Sequence, residues 1–187
     1  MGFVKSKIKT VELPHEAELY RQTYDKNVMP EMVTVTKLGV FPDDQGGWFK
    51  ESLRVDNDGN VLFLKESGID FKIKQSNMSY LAPLGQRFWH IHPTQNEIWT
   101  TNSTLLLGLV DLRKDSKTYG DKSKIVLSPD RAVYIPHGVA HGLLNPSSSF
   151  VTLVYFTDQY FEATDNTEEY RIDPATMSFD FVKPEVM

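Results

Sequence analysis

The chain is predicted to be all-β, a sandwich or barrel. Two observations carry this. From about residue 32 onward, short alternating or β-branched runs follow one another. Clusters of Gly, Pro, Asn and Asp separate them, as turns separate strands. The 187 residues suit one domain of ordinary size with a sizeable core.

Taken in order, residues 3–13 alternate and suit an edge strand or arm. Pro14 stands where a helix can start, with Glu16 and Glu18 in its first turn. A short helix is expected over 15–25, burying Leu19 and stopped by Pro30. Strands are expected over 32–41, 48–55, 61–65, 71–80, 87–92, 98–101, 105–112, 123–127, 132–135 and 150–156. The loop after Pro42 and the turn Asp56-Asn-Asp-Gly-Asn60 punctuate them. Leu105-Leu-Leu-Gly-Leu-Val110 reads as a buried core strand. Residues 1–31 then form an arm and 32–160 a barrel. Residues 161–187 form an acidic tail with one candidate strand near 179–182.

Hydrophobic content of 40% and charged content of 24% describe a globular chain rather than a disordered one. No apolar run approaches a membrane span and no signal-peptide pattern opens the chain, so a cytoplasmic location is expected. The net charge of −5 lacks the basic footprint of a nucleic-acid binder. There are no cysteines, which excludes disulfide and thiolate chemistry. A bound metal would need His, carboxylate or water ligands, which suits iron, manganese, nickel, cobalt or zinc.

Two stretches carry chemistry. Gly85-Gln-Arg-Phe-Trp-His-Ile-His-Pro-Thr-Gln-Asn-Glu97 places His90 and His92 two apart on a strand, hence on one face. Pro93 ends that strand, and Glu97 can return to the same face after a turn. Downstream, Tyr134-Ile-Pro-His-Gly-Val-Ala-His141-Gly-Leu-Leu-Asn145 supplies a further His. Together these read Gly-x4-His-x-His-x4-Glu and Pro-x-Gly-x2-His-x3-Asn. The pair resembles the two motifs of the cupin superfamily. In metal-binding cupins the matching residues, here His90, His92, Glu97 and His141, are the ligands of a divalent metal ion.

Inside that superfamily, Val110-Asp-Leu-Arg-Lys-Asp-Ser-Lys-Thr-Tyr-Gly120 resembles a signature of the dTDP-4-dehydrorhamnose 3,5-epimerase family. Four weaker segments follow the family's order: Gly46 to Glu51, Lys74 to Ser79, Arg87 to His90, and Ile135 to Gly142. Tyr160 and Ile172-Asp-Pro174 fit its tail. The resemblance spans about residues 38 to 175. It implies a jelly-roll barrel, a homodimer and a nucleotide-sugar substrate inside the barrel. It also implies a cofactor-free reaction, in which a neutral His removes a proton beside a ketone and a Tyr on the opposite face returns one. By that resemblance His90 is the base, Asp173 the carboxylate that orients it, and Tyr155 or Val154 stands at the proton-donor position. Arg87 matches a diphosphate-binding Arg. Gln75, Asn77, Glu51 and His141 match substrate contacts.

The chain departs from the family at three places. A Lys that stabilises the enolate oxygen is replaced by Glu97, the opposite charge. An Asp before the signature becomes apolar around Leu107. A nucleotide-contacting Arg becomes Gln45 or Gly46. Three readings therefore stand at the level of sequence. One is an epimerase or isomerase on a nucleotide-diphosphate 4-keto-6-deoxy sugar. Another is a metal-dependent cupin enzyme, isomerase or oxygenase, using His90, His92, Glu97 and His141. The third is a sugar-nucleotide-binding protein without catalysis.

Overall fold

A computed structural model describes residues 28–161, 169–177, 179 and 181. Residues 1–27 of the N-terminal arm, with the whole of its expected helix, and residues 180 and 182 of the expected strand at 179–182 lie outside the described residues.

The strands run β1 Thr34–Lys37, β2 Val40–Pro42, β3 Trp48–Lys50, β4 Gln75–Leu81, β5 Gln86–Ile91 and β6 Glu97–Thr101. They continue as β7 Leu105–Asp111, β8 Lys122–Leu127, β9 Arg131–Ile135, β10 Val139–Leu144, β11 Val151–Thr157 and β12 Tyr170–Arg171. Among the described residues there are also two helices, α1 Leu62–Glu66 and α2 Pro174–Met177. One five-stranded sheet has the order β1-β9-β6-β11-β4 and a second β12-β5-β10-β7-β8, while β2 and β3 form a separate hairpin.

The sheets share a core between them. Leu81, Trp99, Val133, Ile135, Val151 and Leu153 of the first meet Leu105, Leu107, Leu109, Ile125, Leu127, Val139 and Leu143 of the second. Each sheet is also covered outside. Ile98, Ala132 and Tyr134 on the outer face of the first sheet pack under Val61, Leu64 and Phe71. Trp89, Val110 and Ala140 of the second pack under Met177, Phe179 and Phe181. Burial on both faces explains why β6 reads as an unbroken buried run rather than an alternation. On the second sheet Gly142 pairs with Gly108. A Cβ on Gly108 would lie 2.7 Å from the Phe179 ring, so the missing side chain makes room for that ring.

Several sequence expectations need correction. Residues 61–65 do not form a strand: Leu62–Glu66 is a helical turn that seats Leu64 on the first sheet. Leu, Lys and Glu favour helix, and a short apolar run does not reveal its period. The expected strand 32–41 breaks into β1 and β2, and only Trp48–Lys50 of 48–55 is extended. The stretch Val139–Leu144, read as a motif and not as a strand, is β10, buried throughout.

Asn145, fully buried, ties the ends of these elements together. Its Nδ2 donates toward the carbonyls of Leu81, Ala82 and Ser149 at 2.7–3.2 Å. Its Oδ1 accepts from the Ser147 amide and hydroxyl at 3.0 and 2.8 Å. Asn145→Ala leaves buried polar groups unpaired and is expected to cost about 2–3 kcal/mol, read from urea unfolding.

Candidate functional site

The site is assembled by the pairing of β10 with β5. His141 lies opposite His90, and then Leu143 opposite Arg87. Two residues on β10 thus span three on β5, so β5 carries an extra residue between Arg87 and His90. In a regular strand these two would point to opposite faces. The irregularity lets both reach one cavity, as bulges re-aim side chains elsewhere. Trp89 and Ile91 turn outward into the core under the tail.

The turn after β9 fixes the next member. Gly138 has φ +75°, which favours glycine, and its amide donates to the His92 carbonyl at 2.8 Å. A Cβ there would fall 2.5 Å from Arg113 Cγ. Arg113 is itself held by Asp111, whose carboxylate accepts from its Nε and Nη2 and from Ser116 and Thr118. These interactions hold the Asp111 carboxyl below its usual range, against the opposing effect of burial. The signature segment Val110 to Gly120 thus braces the turn behind the site.

The cavity has a volume of about 680 Å³. It is lined from the second sheet by Gln86, Arg87, His90 and His141, and from the first by Gln75, Asn77, Glu97, Trp99 and Tyr155. Lys74, His92, Gln95, Glu169 and Arg171 also border it. Gln75 and Asn77 are hydrogen-bonded to each other at 2.7 Å.

At the buried end sits Glu97, 3% exposed. Its Oε1 accepts from Gln95 Nε2 at 3.0 Å and its Oε2 from Trp99 Nε1 at 2.7 Å. Loss of hydration pushes its carboxyl pKa up, opposed by His92 and by these donors. His92 Nε2 stands 3.5 Å from Oε1, and His141 Nε2 3.4 Å from Oε2. The His92 and His141 rings stack, centroids 5.4 Å apart. His141 Nδ1 donates to the Val139 carbonyl at 3.0 Å, because a carbonyl can only accept. Burial first, and the neighbouring His92, hold His141 well below the ordinary imidazole range.

Nearer the cavity mouth, His90 Nε2 faces Glu169 Oε1 at 3.6 Å. Burial lowers its pKa, partly opposed by Glu169. Tyr155 is raised by burial and by Glu97, with the Arg87 guanidinium acting in the other direction.

The cavity therefore gathers His90, His92, Glu97, His141, Arg87, Gln75, Asn77 and Tyr155. Between the two residues considered for the donor position, Tyr155 lines the cavity and Val154 does not. Two expected members lie elsewhere. Asp173 is exposed, and its carboxylate accepts from the Ala175 amide at the start of α2. The carboxylate beside His90 is Glu169 instead. Glu51 pairs with Arg54 at 2.7 Å and borders a separate groove. Its segment leaves the β2–β3 hairpin on the outer side of the first sheet, away from the cavity. The four-residue metal set is also reduced. Ligand atoms of His92, Glu97 and His141 lie within 4.8 Å of one another, and His90 is not among them.

Sequence reasoning missed Trp99, Gln95, Glu169, Arg171 and Lys74. Trp99 had a signal, since it follows Glu97 at i+2 on a strand and must share its face. Glu169 had none, lying in an acidic tail with no periodicity.

The Trp99–Glu97 bond, at 2.7 Å, is shorter than the contacts of the carboxylate with Gln95, His92 and His141. Trp99→Phe keeps an aromatic ring and removes the donor, with an expected cost of about 1–3 kcal/mol in chemical denaturation.

The comparisons with known proteins agree with this fold. A model of the family described as dTDP-4-dehydrorhamnose 3,5-epimerase matches residues 28–186. The spore coat polysaccharide biosynthesis protein SpsL of Bacillus subtilis (strain 168) is 32% identical over 160 residues, 82% of this chain and 97% of that protein. The dTDP-4-dehydrorhamnose 3,5-epimerase of Methanothermobacter thermautotrophicus is 30% identical over 128 residues, 66% of each chain. A crystal structure of dTDP-4-dehydrorhamnose 3,5-epimerase from Bacillus anthracis, with TDP and PPi bound, has a TM-score of 0.63 at 25% identity. That likeness covers 79% of this chain and 83% of the other. With its jelly-roll barrel and a family match that spans all the described residues, the chain belongs to the dTDP-4-dehydrorhamnose 3,5-epimerase family.

Proposed function

We propose that this protein is a carbohydrate epimerase that exchanges protons beside the ketone of a nucleotide-diphosphate 4-keto-6-deoxy sugar. One observation carries the reading. His90, on β5, and Tyr155, on β11, belong to opposite sheets and line one cavity. A sugar ring lying between them has a base on one face and a hydroxyl on the other. Removal of a proton from one face and return from the opposite face inverts the carbon. Burial favours a neutral His90, the form that accepts a proton. It also keeps Tyr155 protonated, the form that donates one. Glu169 is placed to steady the imidazolium that His90 becomes.

The substrate end rests on Arg87, whose fork suits a diphosphate, with Lys74 and Arg171 bordering the same cavity. The relative from B. anthracis, crystallised with TDP and PPi, supports a nucleotide-diphosphate ligand. A cytoplasmic location fits such a substrate. Among the described residues no helix is long and apolar enough to cross a membrane.

The test is deuterium uptake in D2O by a dTDP-4-keto-6-deoxy sugar, followed by NMR. The parent protein is expected to catalyse exchange, and His90→Asn to slow it by roughly 10²–10⁴-fold. Glu169→Gln is expected to slow exchange as well, and Asp173→Asn to leave it near parental. Arg87→Ala is expected to weaken nucleotide-diphosphate binding by about 1.5–3 kcal/mol in calorimetry. Tight binding without exchange would instead identify a sugar-nucleotide-binding protein. No binding of any nucleotide diphosphate would end the reading.

We further propose a homodimer. The edge strand β4 exposes Met78 and Tyr80, and among the described residues β1 forms the second edge of the same sheet. Two-fold closure is the commonest way to cover such surfaces. Light scattering is expected to give twice the chain mass.

A further inference from the structure

We propose that His92, Glu97 and His141 form a three-residue site for one divalent transition-metal ion, and that His90 stands outside it. The inference starts from an unbalanced group. Glu97 is buried, and its partners are two neutral N–H donors and two imidazoles. Among the described residues no Lys or Arg pairs with it. A buried carboxylate without a counter-charge is costly.

A second, independent observation lies opposite. His141 is 2% exposed, and among the described residues its Nε2 has no hydrogen-bond partner. Its Nδ1 carries the proton given to the Val139 carbonyl, so Nε2 presents a lone pair toward the Glu97 carboxylate. Lone pair facing carboxylate is repulsive, and a cation between them reverses the sign.

The spacing fits. A tetrahedral ion with bonds of about 2.0–2.1 Å separates its ligand atoms by about 3.3–3.4 Å. Glu97 Oε1 stands 3.5 Å from His92 Nε2 and Oε2 3.4 Å from His141 Nε2, and the ligand atoms of the three residues all lie within 4.8 Å of one another, so small rotations of the imidazoles and the carboxylate close the set on one ion. The surrounding bonds have the form that orients metal ligands. An imidazole gives its other N–H to a backbone carbonyl, and each carboxylate oxygen is fixed by a donor. Two imidazoles and a carboxylate without thiolate suit zinc, cobalt, nickel, iron or manganese.

His90 is separated by its own contact, Nε2 to Glu169, and meets His141 edge-on with centroids 6.2 Å apart. Metal binding and His90 as base are therefore compatible in this barrel. When bound, the ion supplies Lewis-acid positive charge at the deep end of a cavity where Glu97 offers none. That role rests on the proposed epimerase reading; the binding does not, and it is tested without substrate.

The experiment uses the full chain without a His tag, stripped with chelator and titrated with Co²⁺ and Zn²⁺. Expected are close to one equivalent of metal per chain by elemental analysis, visible d–d bands with Co²⁺, and a raised melting temperature. His90→Gln is expected to keep stoichiometry and spectrum. Glu97→Gln and His141→Gln are expected to weaken binding by more than the roughly 10–100-fold typical of losing an outer partner. Absence of Co²⁺ bands and of a melting shift in the parent overturns the site and leaves the epimerase reading untouched. Equal loss in His90→Gln overturns the three-residue assignment. If Glu97→Gln or His141→Gln misfolds, the parent titration and His90→Gln remain decisive.

Discussion

The architecture of the site depends on one strand pair. β5 and β10 run antiparallel, and β5 carries one more residue than β10 between their shared register points. Without that residue, alternation would send Arg87 and His90 to opposite faces of the sheet. With it, a guanidinium and an imidazole reach the same cavity while Trp89 stays packed under the tail. Fold and chemistry share this pairing, because the strand that presents His90 also carries Trp89 into the cluster under the tail. The turn at Gly138, braced by Asp111 and Arg113, holds the far end of β10 in register with His92.

A polar stratum crosses the barrel interior. Leu105, Leu107, Leu143 and Leu153 fill one end with apolar side chains. Toward the cavity the lining changes to His141, Glu97 and Trp99, then to His90, Arg87 and Tyr155. Depth therefore grades the electrostatics. The carboxylate and His141 are buried, whereas His90 is near enough to the mouth for Glu169 and Arg171 to act on it. The deep end favours neutral imidazoles and penalises an unbalanced negative charge. The shallow end carries the positive side chains that an anionic ligand requires.

Much of this was legible in the sequence, because period-two patterns report which face a side chain takes. The shared face of His90 and His92 was read from strand spacing, and Glu97 from the turn after Pro93 and the motif it completes. The motif at 134–145 identified His141 and Asn145, although its strand, β10, went unread. A strand buried on both faces has no alternation to betray it. The helical turn at Leu62–Glu66 was hidden for a related reason, since five residues are too few to display a period. Asp173 and Glu51 were placed by motif similarity, and neither position was constrained by local periodicity. The residue that faces His90, Glu169, belongs to a segment docked by tertiary contact. The extra residue in β5 leaves no mark in the sequence, because it exists only relative to the register of its partner.

The paired glycines on β7 and β10 have an evolutionary corollary. Gly108 and Gly142 face each other across the ladder, and the Phe179 ring occupies the space that a Cβ at 108 would need. The same ring meets Trp89 edge-on at 4.7 Å, one residue along from His90. Position 108 and position 179 therefore cannot vary independently. A lineage that acquires a side chain at 108 must surrender the ring at 179, and with it part of the cover over Trp89. The two sites should drift as a coupled pair, far apart in sequence, with the catalytic strand recording the history of both.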